Sequence, residues 1–286
     1  LGLAYPLARR FRTGMTLAMF SLVIFTISLF TVFSAMFANQ RDAFTKGLSG
    51  SFDVLVKWNA ANPISPEELD SIEGVKAVAP LQSALARFEA KDGEERDWRV
   101  AAIDESFARI GAPELDDRGA YPSDAAAYAA IIGDPDLILV DQFFLQQGGG
   151  PPMSTYAPGD TLVVTDPFEG TRRELTIAAI AAPDMARVGA LMGMSGAREL
   201  LGDNLAPTAA YVQLDGGIDP SRFAAELEGS FLERGVRADS LVALVDQNLA
   251  LQNQFFVLIR GYLSLGLIVG VAGLGVVMVR AVRERR

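Results

Sequence analysis

MTLAMFSLVIFTISLFTVFSAMFA, residues 15–38, and GYLSLGLIVGVAGLGVVMV, residues 261–279, contain no charged side chain. The first of these lies inside a longer uncharged stretch running from Thr13 to Gln40. A bilayer core of about 30 Å needs about 20 apolar helical residues, and both runs reach that length. The reading they force is two transmembrane helices with a large domain between them. The flanking arginines give the direction. Arg9, Arg10 and Arg12 precede the first run, and Arg280, Arg283, Arg285 and Arg286 follow the second. Arginines beside a span mark its cytoplasmic side, so both ends are expected inside and the middle outside.

The middle is acidic. Residues 39–254 carry 17 Lys+Arg against 34 Asp+Glu, a net charge of −17. Such a surface argues against nucleic acid as a partner, because phosphate backbones are met by clustered Lys and Arg. The first run is longer than the 7–15 apolar residues of a signal peptide, and FSAMFANQ (33–40) has no good small-x-small cleavage site. The chain opens on Leu1 rather than Met, which is expected of a piece of a longer reading frame. There is no cysteine, so the exterior domain has no disulfide and must stand on its apolar core.

Each span is expected to extend outward as a stalk. Phe33, Phe37, Phe44 and Leu48 share one helical face, and Leu244, Val245, Leu249, Phe255 and Phe256 suit a helix leading into the second span. Between the stalks the pattern mixes strands and helices. Phe52–Trp58 alternates as a strand, and Ser65-Pro66-Glu67-Glu68 opens a short capped helix. Val75–Ala90 and Asp97–Ile103 read as strands around an Asp92-Gly93 turn. Gly111–Tyr128, rich in Ala, Asp, Pro and Gly, reads as a crossing to a second lobe. There Leu137–Val140 is a strand, and Thr161–Thr165 and Glu174–Ala181 form a hairpin around 166–170. Ala209–Leu214 is a strand, followed by a helix from Asp219-Pro220 to about Arg234 and a short strand near Val236. A strand-helix-strand unit at each end predicts an α+β domain: a ferredoxin-like lobe (about 50–110 and 207–242) with an inserted, mixed β-rich lobe (about 111–206). The full division is 1–14 cytoplasmic, 15–38 first span, 39–254 extracytoplasmic, 255–279 second span and 280–286 cytoplasmic.

No chemistry emerges. Without His or Cys, a His-based triad, a Cys nucleophile and the usual zinc sites are excluded. Gly148-Gly149-Gly150 lacks the Gly-Lys-Ser/Thr of a phosphate loop and reads as a flexible loop. Glu94-Glu95, Asp116-Asp117 and Asp134-Pro135-Asp136 lack the ligand spacing of a calcium loop and read as solvated faces. No catalytic residue, metal site or cofactor is expected. In the second span Gly266 and Gly270 have the small-xxx-small spacing that lets helices approach closely.

Several segments carry a family resemblance. Tyr5-Pro-Leu-Ala-Arg-Arg-Phe-Arg-Thr-Gly-Met-Thr-Leu-Ala-Met-Phe20 resembles the start of a permease module in the FtsX-like family, which includes MacB-type exporters and lipoprotein-releasing permeases. Asp70–Pro80 resembles the helix-to-strand passage of their exterior domains, and Ala157–Leu162 with Leu175–Ile180 is similar to their "GD" hairpin region. Gly273–Arg286 resembles their second span and the start of a coupling segment. The resemblance implies one half of an ABC transporter permease in the cell membrane, with further spans after Arg286. It also implies an ABC ATPase as a separate cytoplasmic subunit, a second permease copy or half, contact with membrane lipids, and no enzyme activity of its own. Lipids, lipoproteins or peptides would be the cargo. The alternative with the same topology is a double-pass sensor whose exterior domain binds a ligand; a regulator of cell-wall hydrolases is a third reading.

Replacing Gly266 and Gly270 by Leu is expected to weaken assembly of the membrane region by removing close helix approach. Size-exclusion chromatography in detergent reads this out, and an unchanged oligomeric state would remove the packing role.

Overall fold

A computed structural model describes residues 10–39, 45, 47–146, 155–183, 186 and 188–283. These divide into two compact units, Asp42–Val245 and the two terminal segments Leu1–Arg41 with Asp246–Arg286. In the terminal unit, helix α1 covers Arg10–Asn39, and α7 covers Leu241–Arg283, crossing the boundary between the units. These helices contain the uncharged runs 15–38 and 261–279. Counting only described residues, no helix is long and apolar enough to cross a membrane.

The central unit is mixed α and β, and its described strands form one ten-stranded sheet. At one end lie β1 (Val54–Lys57), helix α2 (Pro66–Asp70) and the long strand β2 (Val75–Glu89). Late in the chain come β9 (Ala206–Leu214), α6 (Pro220–Ser230) and β10 (Arg237–Ser240). These strands stand in the order β10-β1-β9-β2, each antiparallel to its neighbour. Each helix joins two strands that have a third between them, the split β-α-β arrangement. The helices start where the sequence places their caps. The Ser65 hydroxyl accepts from Glu68 N at 3.1 Å and the Asp219 carboxylate from Arg222 N at 2.8 Å, with Pro66 and Pro220 opening the first turns. Val54, Val56, Ala210 and Val212 on one sheet face pack on Leu69 of α2 and Phe223, Ala224 and Leu227 of α6.

The remaining strands close a ring. They are β3 (Glu95–Ile103), β5 (Leu137–Asp141), β6 (Thr161–Thr165), β7 (Arg172–Ala181) and β8 (Ala190–Gly193). Pairing runs β2-β3-β8-β5-β7-β6 and back to β2, where Arg87, Phe88 and Glu89 face Thr165, Val164 and Val163. A closed ring leaves no free edge. Its interior is filled by alternate residues of each strand, among them Ala86, Phe88, Val100, Ile138, Val164 and Ile177. Phe144 plugs it, edge-on to Phe88 at 5.1 Å, Tyr156 at 5.3 Å and Trp98 at 5.9 Å. Strand β4 (Leu115–Asp117) pairs outside the ring, on β7.

Helix α3 (Glu105–Ile110), α4 (Asp124–Gly133) and α5 (Met194–Leu201) complete the unit. The residues read as a crossing, Gly111–Tyr128, hold β4 and the first half of α4, which starts where the Ser123 hydroxyl accepts from Ala126 N at 3.2 Å. Residues 220–234 are an α-helix only to Ser230; Leu232–Arg234 forms a separate 3-10 turn. Phe44 of the first stalk face and the loop 147–154, including Gly148-Gly149-Gly150, lie outside the described residues.

The β6–β7 hairpin is held by Asp166, whose carboxylate is 0% exposed. It accepts from Phe168 N and from Asn204 Nδ2, both at 2.9 Å. Asp166→Ala is expected to lower unfolding stability by about 2 kcal/mol, since it strands donors that a charged acceptor now satisfies. Urea titration of the full chain in detergent measures this.

Candidate functional site

The central unit begins and ends at one corner. Asp53 stands just before β1, and its N–H donates to Val212 O at 2.9 Å. Its carbonyl accepts from Leu241 N at 2.9 Å, where α7 starts, and its carboxylate accepts from Leu214 N at 2.8 Å, the end of β9. Ser240, buried at the end of β10, accepts from Ala243 N at 3.3 Å and so caps the first turn of α7. Leu241 and Val245 on that turn are buried.

The incoming chain is tied down beside it. Residues 47–49 are helical, and Gly47 O accepts from Glu114 N at 2.9 Å. Ser51 N donates to Gly111 O at 2.8 Å. Gly50 (φ +61°) and Gly111 (φ +125°) face each other so closely that a Cβ on Gly50 would stand 2.2 Å from Gly111 O. Both positions need glycine for conformation and for space.

Beneath the corner lies an aromatic cluster. Phe52 packs on Phe107 at 5.2 Å and Tyr211 at 5.0 Å, and Phe107 meets Tyr128 at 5.8 Å. The Tyr128 hydroxyl donates to Pro113 O at 3.1 Å. Burial, with the Asp124 charge in support, pushes that hydroxyl well above the ordinary tyrosine range, so it stays a neutral donor. Leu241 packs in this cluster, and a cavity of about 70 Å³ is lined by Phe107, Tyr128 and Tyr211 together with Leu241, Leu244 and Val245. Leu48 and Ser49 line its incoming side, and Asp141 is its acidic wall. The arrangement has no nucleophile poised on a base. What it can do is couple the incoming segment and the first turn of α7 to one packed cluster.

The carboxylate pairs singled out by sequence are drawn apart into structural roles. Glu94 pairs with Arg96, Glu95 with Arg87, and Asp136 with Arg173. Asp116 takes a short hydrogen bond from Gln142, and burial raises its carboxyl above the usual range. Asp117 accepts from Gly119 N, and Asp134 from Asp136 N. Among the described residues no three potential ligands gather as a metal site. Gly266 is exposed, with nothing within 4 Å of the place a Cβ would take, and Gly270 is half-buried on the same helix. Arg10 and Arg12 lie in the first turn of α1, and Arg280 and Arg283 in the last turn of α7. Arg9, Arg285 and Arg286 lie outside the described residues. Sequence reasoning missed the corner because its hydrogen bonds join residues such as Asp53 and Leu241 that no local pattern links.

The solved structures similar to this chain include three extracytoplasmic or permease domains. The periplasmic region of MacB from Actinobacillus actinomycetemcomitans is 9% identical, covers 72% of this chain and 95% of that one, and has a TM-score of 0.40. A domain of a putative permease protein from Porphyromonas gingivalis is 12% identical, covers 66% and 88%, and scores 0.36. The extracellular domain of the noncanonic ABC-type transporter YknZ from Gram-positive bacteria is 11% identical, covers 66% and 99%, and scores 0.37. No family model and no curated protein matches the chain. Identities and scores this low identify no substrate and no site.

Gly111→Ala is expected to cost about 2 kcal/mol or more, because it adds a Cβ both to a positive-φ residue and against Ser51. A thermal melt of the full chain reads the loss. Gly229→Ala, in the last turn of α6 with open space around it, should leave the melt unchanged or raise it.

Proposed function

We propose that this chain is part of a permease subunit of an ABC transporter of the FtsX-like, MacB type. In this reading residues 15–38 and 255–279 span the cell membrane, and residues 39–254 lie outside as a ferredoxin-like lobe with an inserted β-rich lobe. A separate cytoplasmic ATPase hydrolyses ATP, and the spans carry its motion to the exterior domain. The work done there is export or extraction of a lipid, lipoprotein or peptide. The permease acts with a second copy or half, for which Gly266 and Gly270 offer a smooth helix face.

The observation that carries the reading is the shared corner. The domain's two ends are fastened to each other through Asp53 and Leu241, and each continues in sequence into an uncharged run of bilayer length with arginines beyond it. A domain built to be driven through its ends needs both of them fixed to its core. The resemblance of the opening segment and of 157–180 to permease modules adds support.

Two measurements test this. The chain has no cysteine, so single substitutions report topology directly. A membrane-impermeant maleimide should label Glu233→Cys in intact cells and Arg283→Cys only after permeabilisation; the reverse pattern would refute the orientation. Reading the source gene past Arg286 separates transporter from sensor. Further apolar spans beside a gene encoding Gly-x-x-x-x-Gly-Lys-Ser/Thr are expected, whereas a helical relay into a kinase or cyclase would sink the permease reading.

A further inference from the structure

On the sheet face that carries the aromatic cluster, away from the corner, lies a second cavity of about 250 Å³. Its floor is made of small residues. Ala209 stands in register between Lys57 and Leu81, and Ala101 stands opposite Ser83. Short side chains between long ones leave a trough, and what rises around it is polar and cationic.

Arg99 lies two residues before Ala101 on β3, hence on the same face. Its Nη1 donates to Ser83 Oγ at 3.1 Å, and that hydroxyl shares a 2.7 Å hydrogen bond with Thr208 Oγ1. A guanidinium has five N–H donors, so most of Arg99's remain for a ligand. Among the described residues no carboxylate comes within ion-pair distance of it, although Arg87 and Arg96 nearby on β2 and β3 are both paired. Lys57 holds the opposite wall. Its ammonium donates to Ala186 O at 2.9 Å and pairs with Asp239 at 3.5 Å. Trp58 closes the end, its indole N–H anchored to Pro207 O at 3.1 Å.

Two cations and two hydroxyls thus converge on one trough in a region of net charge −17. A fork of N–H donors, a point charge and the one hydroxyl proton that the Ser83–Thr208 bond leaves free suit the several oxygens of a phosphate. We infer that this groove binds a phosphate group, gripped by Arg99 and Lys57 with Ser83 and Thr208 alongside, with Trp58 and Val188 against the organic part. The phosphate comes either from a free ester or from a phospholipid headgroup, and the inference holds whether or not the chain is a permease half.

The chain contains two tryptophans, so Trp98→Phe leaves Trp58 as the sole indole reporter in the groove. The full chain in neutral detergent is titrated at constant ionic strength with inorganic phosphate, glycerol 3-phosphate and dihexanoyl phosphatidylglycerol. Saturable change in Trp58 fluorescence is expected, weakened at least tenfold by Arg99→Gln and several-fold by Lys57→Gln. Arg109→Gln, an exposed arginine on α3, should change nothing. Tighter binding of the short-chain lipid by tenfold or more assigns a headgroup; equal binding of the two glycerol phosphates assigns a free ester. Absence of saturation, or equal effects of the Arg99 and Arg109 substitutions, overturns the inference. Equilibrium dialysis of radiolabelled phosphate against the chain with both tryptophans gives the same answer should Trp98→Phe disturb folding.

Discussion

Three hydrogen bonds at Asp53 hold the central unit in its arrangement. Its amide fixes β1 to β9, its carboxylate holds the last residue of β9, and its carbonyl receives the first amide of α7. A charged acceptor on a backbone amide is worth about 1.5–3 kcal/mol when its surroundings exclude water. The position matters more than the amount. Because β1 lies between β9 and β10, losing Asp53 would loosen the start of the domain, its last crossover and the root of α7 together.

The long strand β2 distributes that fastening through the rest of the unit. Its first half pairs with β9, its second with β3, and its last three residues with β6. One fifteen-residue strand therefore belongs both to the split β-α-β sheet and to the closed ring. Ala79 and Leu81 pack with the aromatic cluster, whereas Ala84, Ala86 and Phe88 fill the ring. Leu139, Ala178 and Leu191 of β5, β7 and β8 pack in the same cluster, so the corner meets the ring through these strands as well as through β2 and β3. Between the two halves of β2 lies Ser83, so the phosphate groove sits where the two substructures join.

Much of this was legible from local pattern. The caps at Ser65 and Asp219, the Asp92-Gly93 hairpin and the β6–β7 hairpin depend on residues within a few positions of one another, and each forms where its sequence says. The helix Asp124–Gly133 was hidden because its alanines give weak periodicity and its surroundings are rich in turn formers. Strand β8 has four residues, too few to show alternation, and its pairing with β3 is parallel, which no hairpin signal announces. Ring closure between β2 and β6 joins residues more than seventy positions apart. The corner and the groove were unreadable for the same reason: Asp53 meets Leu241, and Ser83 meets Thr208, only after the sheet has assembled.

The central claim is that the first turn of α7 belongs to the core of the domain and not to a loose linker. Hydrogen exchange of the full chain in detergent, resolved by peptide, tests it most directly. The account predicts that amides of 241–245 exchange as slowly as those of 54–57 and 210–214, in one cooperative opening, and that Asp53→Ala speeds all three together. Fast exchange at 241–245 beside a protected sheet would contradict it, because the domain's end would then be free of its core.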